Sequence, residues 1–126
     1  MNIGQALTSL GITEWVLRGE PTTEAEFNEM FRKVTGADAN GSAVESSTPS
    51  DFGVTWSQVS AKKTELVNAE PMRLLREERD RLIAKTDWWA SSDLTMTSEQ
   101  TTYRQALRDI TDNATSLDDV TWPTKP

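Results

Sequence analysis

Two short apolar stripes, one on each side of a tryptophan pair, most constrain what this chain can fold into. Each stripe repeats at helical spacing, so each predicts one amphipathic helix with a narrow apolar face. The first stripe comprises Met72, Leu75, Leu82 and Ile83 around Arg79, flanked by Leu74, and the second comprises Tyr103, Ala106, Leu107 and Ile110. The segment WWASSDLTM connects them. Its length suits an antiparallel helical hairpin.

The tryptophan pair, Trp88 and Trp89, lies at the elbow of this expected hairpin. Because adjacent residues cannot share one helix face, we expect one ring in the hairpin core. The other ring then packs against the C-terminal Trp122-Pro123 segment or against a partner. Burial of both rings in the core stays open as the simpler alternative, whereas an exposed Trp is typical of a protein-binding hot spot.

A long charged helix precedes the pair, and a proline interrupts it. Capping boxes mark the helix starts, at Thr55–Gln58 for this helix and at Thr97–Gln100 for the helix that follows the pair. Pro71 has no N–H and also restricts the residue before it. We therefore expect two helical segments, residues 56–69 and 71–86, which are either kinked or nearly collinear.

The N-terminal part predicts a small unit of its own. Residues 12–18 form a short apolar run between two glycines, which suits a strand or the end of a short helix. A helix follows, capped by Thr23 with Glu26 completing the capping box, and ended by Gly36. The apolar face of this helix comprises Phe27, Met30, Phe31 and Val34.

Residues 37–54 have the composition of a linker. Within them Asn40-Gly41 favours a turn over a calcium loop, because the residues after Gly41 lack the oxygen ligands that such a loop needs. The expected organisation is a small N-terminal unit at 1–36, this linker, and a helical hairpin module at 55–126. The expected fold class is mainly α: an extended helical protein with a C-terminal antiparallel helical hairpin and a small N-terminal α or α+β unit.

The residue types argue against several kinds of chemistry. The chain has no Cys and no His, so it lacks thiolate metal ligands and the usual general base. Its net charge is −7, and seven of its 13 basic residues lie within residues 51–86 beside six acidic ones. No surface is therefore strongly basic. We expect no catalytic residue, no metal, no cofactor, and no binding to nucleic acid or membrane.

The C-terminal half also carries a specific series of blocks. In order, these are Leu75-Arg76, Arg79-Asp80, Leu82, Thr86-Asp87-Trp88, Asp93, the run Tyr103–Ile110, Val120, Trp122-Pro123 and Pro126. Together they resemble the phage tail assembly chaperone family, the C-terminal module of many tail-fibre assembly proteins of tailed bacteriophages. The resemblance covers residues 70–126. The N-terminal half, with EWVLRGEPTTEAEFNEMFRKVTG, lies outside that pattern and resembles sequences from phages of marine cyanobacteria.

The resemblance implies a non-enzymatic protein that helps phage tail or tail-fibre subunits to assemble in the host bacterial cytoplasm. The alternative is a structural component retained in the mature virion tail, baseplate or fibre adaptor. The implied partners are tail or tail-fibre/baseplate proteins, with self-association as a further alternative. The expected partner-binding residues are Trp88, Trp89, Tyr103, Trp122 and Pro123. Candidate ion-pair residues are Arg79, Arg104 and Arg108, opposite Asp80, Asp87 or Asp109.

Overall fold

The computed structural model describes residues 1–126 and contains four α-helices and one three-stranded antiparallel sheet. The helices are α1 (Ile3–Ser9), α2 (Glu24–Met30), α3 (Trp56–Ala84) and α4 (Ser98–Arg108). The strands are β1 (Trp15–Leu17), β2 (Phe31–Ala37) and β3 (Ala43–Ser46). Short 3-10 turns occupy Pro49–Asp51, Asp87–Ala90 and Ile110–Asp112. The chain forms two compact units, Met1–Asn68 and Ala69–Pro126.

The predicted mainly α fold class is wrong, because the chain is 51% helical and 11% strand, a small mixed α+β protein. The error lies first in α2, which ends at Met30 instead of continuing to Gly36. Phe31 adopts an extended backbone, with φ −89° and ψ 139°. The four-residue spacing of Phe27 and Phe31 fits a continuous helix, but it also fits a helix that ends before a strand. Residues 31–37 form the strand β2 because their backbone pairs with β1 and β3.

The sheet has the order β1-β2-β3, so β3 lies at an edge. Leu17 pairs with Phe31 across β1 and β2, and a bulge between Val34 and Gly36 interrupts the pairing of β2 with β3. The segment expected as a linker thus contributes β3 to the sheet. The predicted turn at Asn40-Gly41 is present. It is closed by the Asp38 carboxylate, which accepts hydrogen bonds from the Asn40 N–H at 2.8 Å and the Ser42 N–H at 3.0 Å.

Three phenylalanines form the centre of the N-terminal unit. The Phe27 and Phe31 rings are stacked with centroids 4.9 Å apart, and Phe52 meets Phe31 edge-on at 4.7 Å. All three are buried. The same core includes Ile3, Ala6 and Leu7 of α1, together with Val54 and Val59. Burial of apolar side chains from α1, α2, β2 and α3 therefore stabilises the unit through one shared core.

Helix α3 runs unbroken through Pro71, so the prediction of two segments, 56–69 and 71–86, is wrong. Its predicted capping box is confirmed. The Gln58 N–H donates to the Thr55 hydroxyl at 3.2 Å, and the Thr55 N–H donates to the Gln58 side-chain oxygen at 3.0 Å. Pro71 removes the donor that would bond the Val67 carbonyl. Val67 is exposed, so water can bond to this part of the helix instead.

Helix α4 begins with the predicted capping box between Thr97 and Gln100. The expected architecture, mainly a helical hairpin, is wrong, because the chain combines its helices with a three-stranded sheet. Leu82 and Ile83, near the end of α3, pack against the cluster of Trp89, Tyr103 and Leu107. Residues 76–81, between Leu75 and Leu82, are all charged, whereas Leu75 itself is fully buried.

Candidate partner-binding site

The tryptophan pair lies in the 3-10 turn Asp87–Ala90, and this turn separates the two rings. Trp89 is only 4% exposed, whereas Trp88 is 61% exposed. Their centroids are 6.1 Å apart and the rings meet edge to face, with an interplanar angle of 74°. One indole is therefore a core residue, and its neighbour stands on that core and faces solvent.

An aromatic cluster packs against Trp89, the buried member of the pair. The Trp89 and Tyr103 centroids are 6.0 Å apart, and both rings pack with the fully buried Leu107. Partly buried apolar side chains surround this cluster: Leu82, Ile83, Met96 and Trp122. Such packing restricts the rotamers of Trp89, and therefore holds the backbone turn that presents Trp88.

Arg104 ties this turn to α4. Its guanidinium donates hydrogen bonds to the Thr86 hydroxyl at 2.7 Å and to the Ile83 carbonyl at 3.3 Å. Thr86 is fully buried and its hydroxyl donates in turn to the Ile83 carbonyl at 3.0 Å. The Ile83 carbonyl also accepts the Thr86 N–H at 2.9 Å, so both side chains add to a backbone hydrogen bond at the end of α3.

One end of the Arg104 guanidinium forms an ion pair, whereas its Nε atom has no partner. Its guanidinium pairs with the Asp87 carboxylate at 3.1 Å, and the Arg104 residue is 7% exposed while the Asp87 side chain is 64% exposed. The Nε atom of Arg104 is buried and has no hydrogen-bond partner. The ion pair therefore extends from the interior to the surface beside Trp88. Of the other candidate ion-pair residues, Arg79 pairs with Asp80 at 2.9 Å, whereas Arg108 forms no salt bridge.

The C-terminal segment after Val120 has no regular secondary structure and contacts the same aromatic cluster. Trp122 packs against the aromatic cluster, and the Lys125 Nζ lies 5.8 Å from the centre of the Trp89 ring, within cation–π distance. Pro123 lines an open groove of about 480 Å³ together with Ser98, Glu99, Thr102, Tyr103, Ala106, Thr124 and Pro126.

A turn just before this segment is held by Asp119. Its carboxylate accepts hydrogen bonds from the Ser116 N–H at 2.9 Å and from the Thr115 N–H and hydroxyl. These bonds, the one from the Ser116 N–H first and the one from the Thr115 hydroxyl second, hold the pKa of Asp119 below its usual 3.8. The ionised carboxylate therefore fixes the chain direction that leads to Trp122.

The five residues expected to bind a partner thus have different surroundings. Trp89, Tyr103 and Trp122 belong to one cluster, Pro123 lines the adjacent groove, and Trp88 alone is largely exposed. Sequence reasoning missed the burial of Arg104 and Thr86. One signal was available for Arg104, which lies three residues before Leu107 and therefore near the apolar face of α4.

Two further features bear on the chemistry of the chain. No group of three or more acidic side chains is arranged to hold a metal ion. None of the helices combines the length and the apolar character needed to cross a membrane.

Comparison with known proteins assigns the C-terminal part of the chain. Residues 72–126 match the family described as phage tail assembly chaperone protein, which confirms the resemblance drawn from the sequence blocks. Neither the curated proteins nor the solved structures give a match. The match includes every residue from Trp88 to Pro123 discussed above, and it supports a role in phage tail assembly that is non-catalytic. Residues 72–126 of the chain are therefore similar to the phage tail assembly chaperone family.

Proposed function

We propose that this protein is a non-enzymatic assembly factor that binds a phage tail or tail-fibre subunit through the Trp88 surface. We define the Trp88 surface as Trp88 itself, supported by Trp89 and Tyr103, and bordered by the Trp122-Pro123 segment. The observation that carries the proposal is the 61% exposure of an indole ring that stands on a buried aromatic cluster.

The energetics favour such a surface as a contact. An exposed indole loses apolar hydration when a partner covers it, a gain of about 3 kcal/mol before the costs of association. The supporting contacts of Trp89 and the hydrogen bonds of Arg104 hold the turn in place before binding. Less conformational entropy is then lost when the complex forms. Trp is also enriched among the residues that dominate binding energy.

The proposed mechanism is temporary masking. Subunits that have not yet assembled expose apolar surface, which leads to aggregation. This protein would cover that surface of the subunit with the indole of Trp88. The subunit would then stay soluble until the other subunits of the tail displace the assembly factor. The family match supports this tail assembly role in general terms.

Co-expression tests the proposal. Each tail and tail-fibre subunit of the same phage is produced with and without this protein, and the soluble fraction and co-elution on size exclusion are measured. We expect one subunit to co-elute and to gain solubility, and Trp88→Ser to remove both effects. Leu117→Ser is the matched control, because Leu117 is an exposed apolar residue of the same unit outside the Trp88 surface. Unchanged solubility and no co-elution for every subunit would contradict the proposal.

Mass spectrometry of purified phage particles adds a second measurement. Temporary masking predicts that the protein is absent from mature particles or far below the copy number of its partner. Its presence at the same copy number would mean that the Trp88 surface serves a permanent contact in the virion instead.

A further inference from the structure

The C-terminal residues 121–126, which we call the strap, lie on the aromatic cluster without a backbone attachment to it. The strap belongs to no helix or strand, and its backbone makes no hydrogen bond to another backbone group. Two of its six residues, Pro123 and Pro126, have no N–H that could donate one. Side-chain contacts alone therefore hold the strap in place.

Two of these contacts reach the aromatic cluster. Trp122 is partly buried and packs against the cluster of Trp89, Tyr103 and Leu107. Lys125 is exposed, and its Nζ lies 5.8 Å from the centre of the Trp89 ring. A cation–π contact at an exposed site is weak. Segments with so few buried contacts open locally while the hydrogen-bonded elements beside them stay folded. The strap can therefore leave the cluster without unfolding of α4.

Opening of the strap enlarges the surface that surrounds Trp88. The Trp89 and Tyr103 side chains are buried while Trp122 and Lys125 lie over the cluster. The Trp88 and Trp89 centroids are 6.1 Å apart, so the uncovered rings extend the exposed indole into one aromatic surface. One indole buries about 150–250 Å², whereas a stable interface buries about 800 Å² on each partner. Trp88 alone is therefore too small to hold a subunit.

We infer that the strap is an internal competitor of the partner subunit. In the free protein it covers the aromatic cluster, and it leaves when a segment of the subunit takes its place. The strap itself shows what the cluster accepts, which is a segment without regular secondary structure that contributes one aromatic side chain. We therefore expect an aromatic residue of the tail subunit at the position of Trp122. This inference rests on the proposed function and adds the regulation of its surface.

Competition by the strap lowers the apparent affinity of the protein for the subunit. A partner that binds only the open state meets the fraction of molecules in which the strap is open, so its apparent Kd rises as that fraction falls. A strap that is closed in about 90% of molecules raises the Kd about tenfold. Trp122→Ala should therefore bind the subunit more tightly than the wild type. Direct contact of Trp122 with the subunit predicts the opposite sign.

A covalent bridge tests the need for opening. The chain has no cysteine, and Thr102 and Thr124 are exposed residues that line the same groove, one on α4 and one on the strap. In Thr102→Cys combined with Thr124→Cys, a short bis-maleimide reagent joins the two thiols and keeps the strap closed. The controls are the two single-cysteine variants treated with the same reagent, which carry the linker without the bridge. Isothermal titration calorimetry measures the Kd of each protein for the purified subunit that co-elutes.

We expect the bridged protein to bind at least about tenfold more weakly than both singly modified proteins. Trp122→Ala, without a bridge, should bind about three- to tenfold more tightly than the wild type. Its NMR signals from residues 98–108 should stay dispersed, which shows that α4 remains folded when the strap is released. Loss of this dispersion would mean that the segment is part of the folded core, and would overturn the strap.

The outcomes separate the strap from the proposed function. Equal binding of the bridged and the singly modified proteins would overturn the strap, as would weaker binding of Trp122→Ala. Binding by the wild type that is lost in Trp88→Ser would then leave the proposed function standing. Binding by Trp122→Ala but not by the wild type would support both. If neither protein binds any tail or tail-fibre subunit, the proposed function fails, and the inference fails with it.

Discussion

Arg104 and Thr86 are 18 residues apart in the chain, and the guanidinium of Arg104 donates a 2.7 Å hydrogen bond to the buried hydroxyl of Thr86. This bond connects the middle of α4 to the residue immediately before the turn that carries the tryptophan pair. The same guanidinium holds the Ile83 carbonyl and pairs with Asp87. One side chain therefore fixes the position from which Trp88 is presented.

We expect Arg104→Ala to lower the free energy of unfolding of the C-terminal unit by about 2–3 kcal/mol. The variant removes charge-assisted hydrogen bonds and leaves the Thr86 hydroxyl without its donor. Arg104→Lys keeps the charge but not the planar donor set, so it should lose about half as much. Urea denaturation followed by NMR signals of residues 98–108 measures the effect in this unit.

Arg108 provides the control for this prediction, because it lies on the same helix, is exposed and makes no ion pair. Arg108→Ala should change the unfolding free energy by less than about 0.5 kcal/mol. A loss of similar size in both alanine variants would mean that the hydrogen bonds of Arg104 contribute little.

The two tryptophans should differ in their contribution to stability. Trp89→Ala removes a buried ring and should cost about 3–5 kcal/mol, whereas Trp88→Ala should cost less than about 1 kcal/mol. Thermal and urea denaturation of both variants test this difference. A large loss in Trp88→Ala would mean that its ring is needed for folding, which would remove the reason to regard it as a partner contact.

Acid should selectively remove the contribution of Asp119 to the stability of the folded protein. Because its native pKa is below the usual 3.8, the native carboxyl binds protons less readily than the unfolded one. The stabilisation is present above about pH 4 and is lost as the pH falls through the native pKa. We expect Asp119→Asn to melt below the wild type at pH 7, with a difference that shrinks between about pH 5 and pH 2.

Circular dichroism melts over this pH range measure the effect, with Asp118→Asn as the control. The Asp118 carboxylate accepts none of the hydrogen bonds of this turn, since its neighbour Asp119 accepts them. Its variant should therefore follow the wild type across the range. A constant gap between Asp119→Asn and the wild type would contradict a role for the ionised carboxylate.

Replacement of the helix proline should stabilise α3. Pro71→Ala restores the N–H that can bond the Val67 carbonyl, and we expect a gain of about 1–3 kcal/mol. Pro71→Gly restores the same donor but loses more backbone entropy, so its gain should be smaller by about 1 kcal/mol. Urea denaturation followed by circular dichroism at 222 nm compares the three proteins. A loss of stability in Pro71→Ala would mean that the proline ring makes contacts that the helix needs.

Local signals in the sequence predicted the helix starts well. The Thr-x-x-Gln boxes at Thr55 and Thr97 are confirmed, because a capping box needs only four consecutive residues. The strand at Phe31–Ala37 could not be predicted in this way. Its apolar spacing also fits a helix, and the decisive backbone partners are residues 15–17 and 43–46. Local periodicity does not contain that information.

In the candidate site, too, local sequence predicted some side-chain positions and not others. Spacing alone left open whether Trp88 and Trp89 are both buried or only one of them is, and the structure buries Trp89 and exposes Trp88. Arg104 was among the candidate ion-pair residues, and it pairs with Asp87. A charged side chain is buried only where hydrogen-bond acceptors surround it. For Arg104 these are the Thr86 hydroxyl and the Ile83 carbonyl, whose positions depend on the tertiary fold. The sequence alone therefore did not predict its burial.

The edge strand β3 has a consequence for the association of this protein with other chains. It is four residues long, follows the bulge in β2, and carries Glu45, whose carboxylate pairs with Arg18 at 2.9 Å. Short, irregular and charged edges resist the addition of foreign strands. Through this edge the protein therefore has little tendency to pair with strands of other chains, even at high concentration.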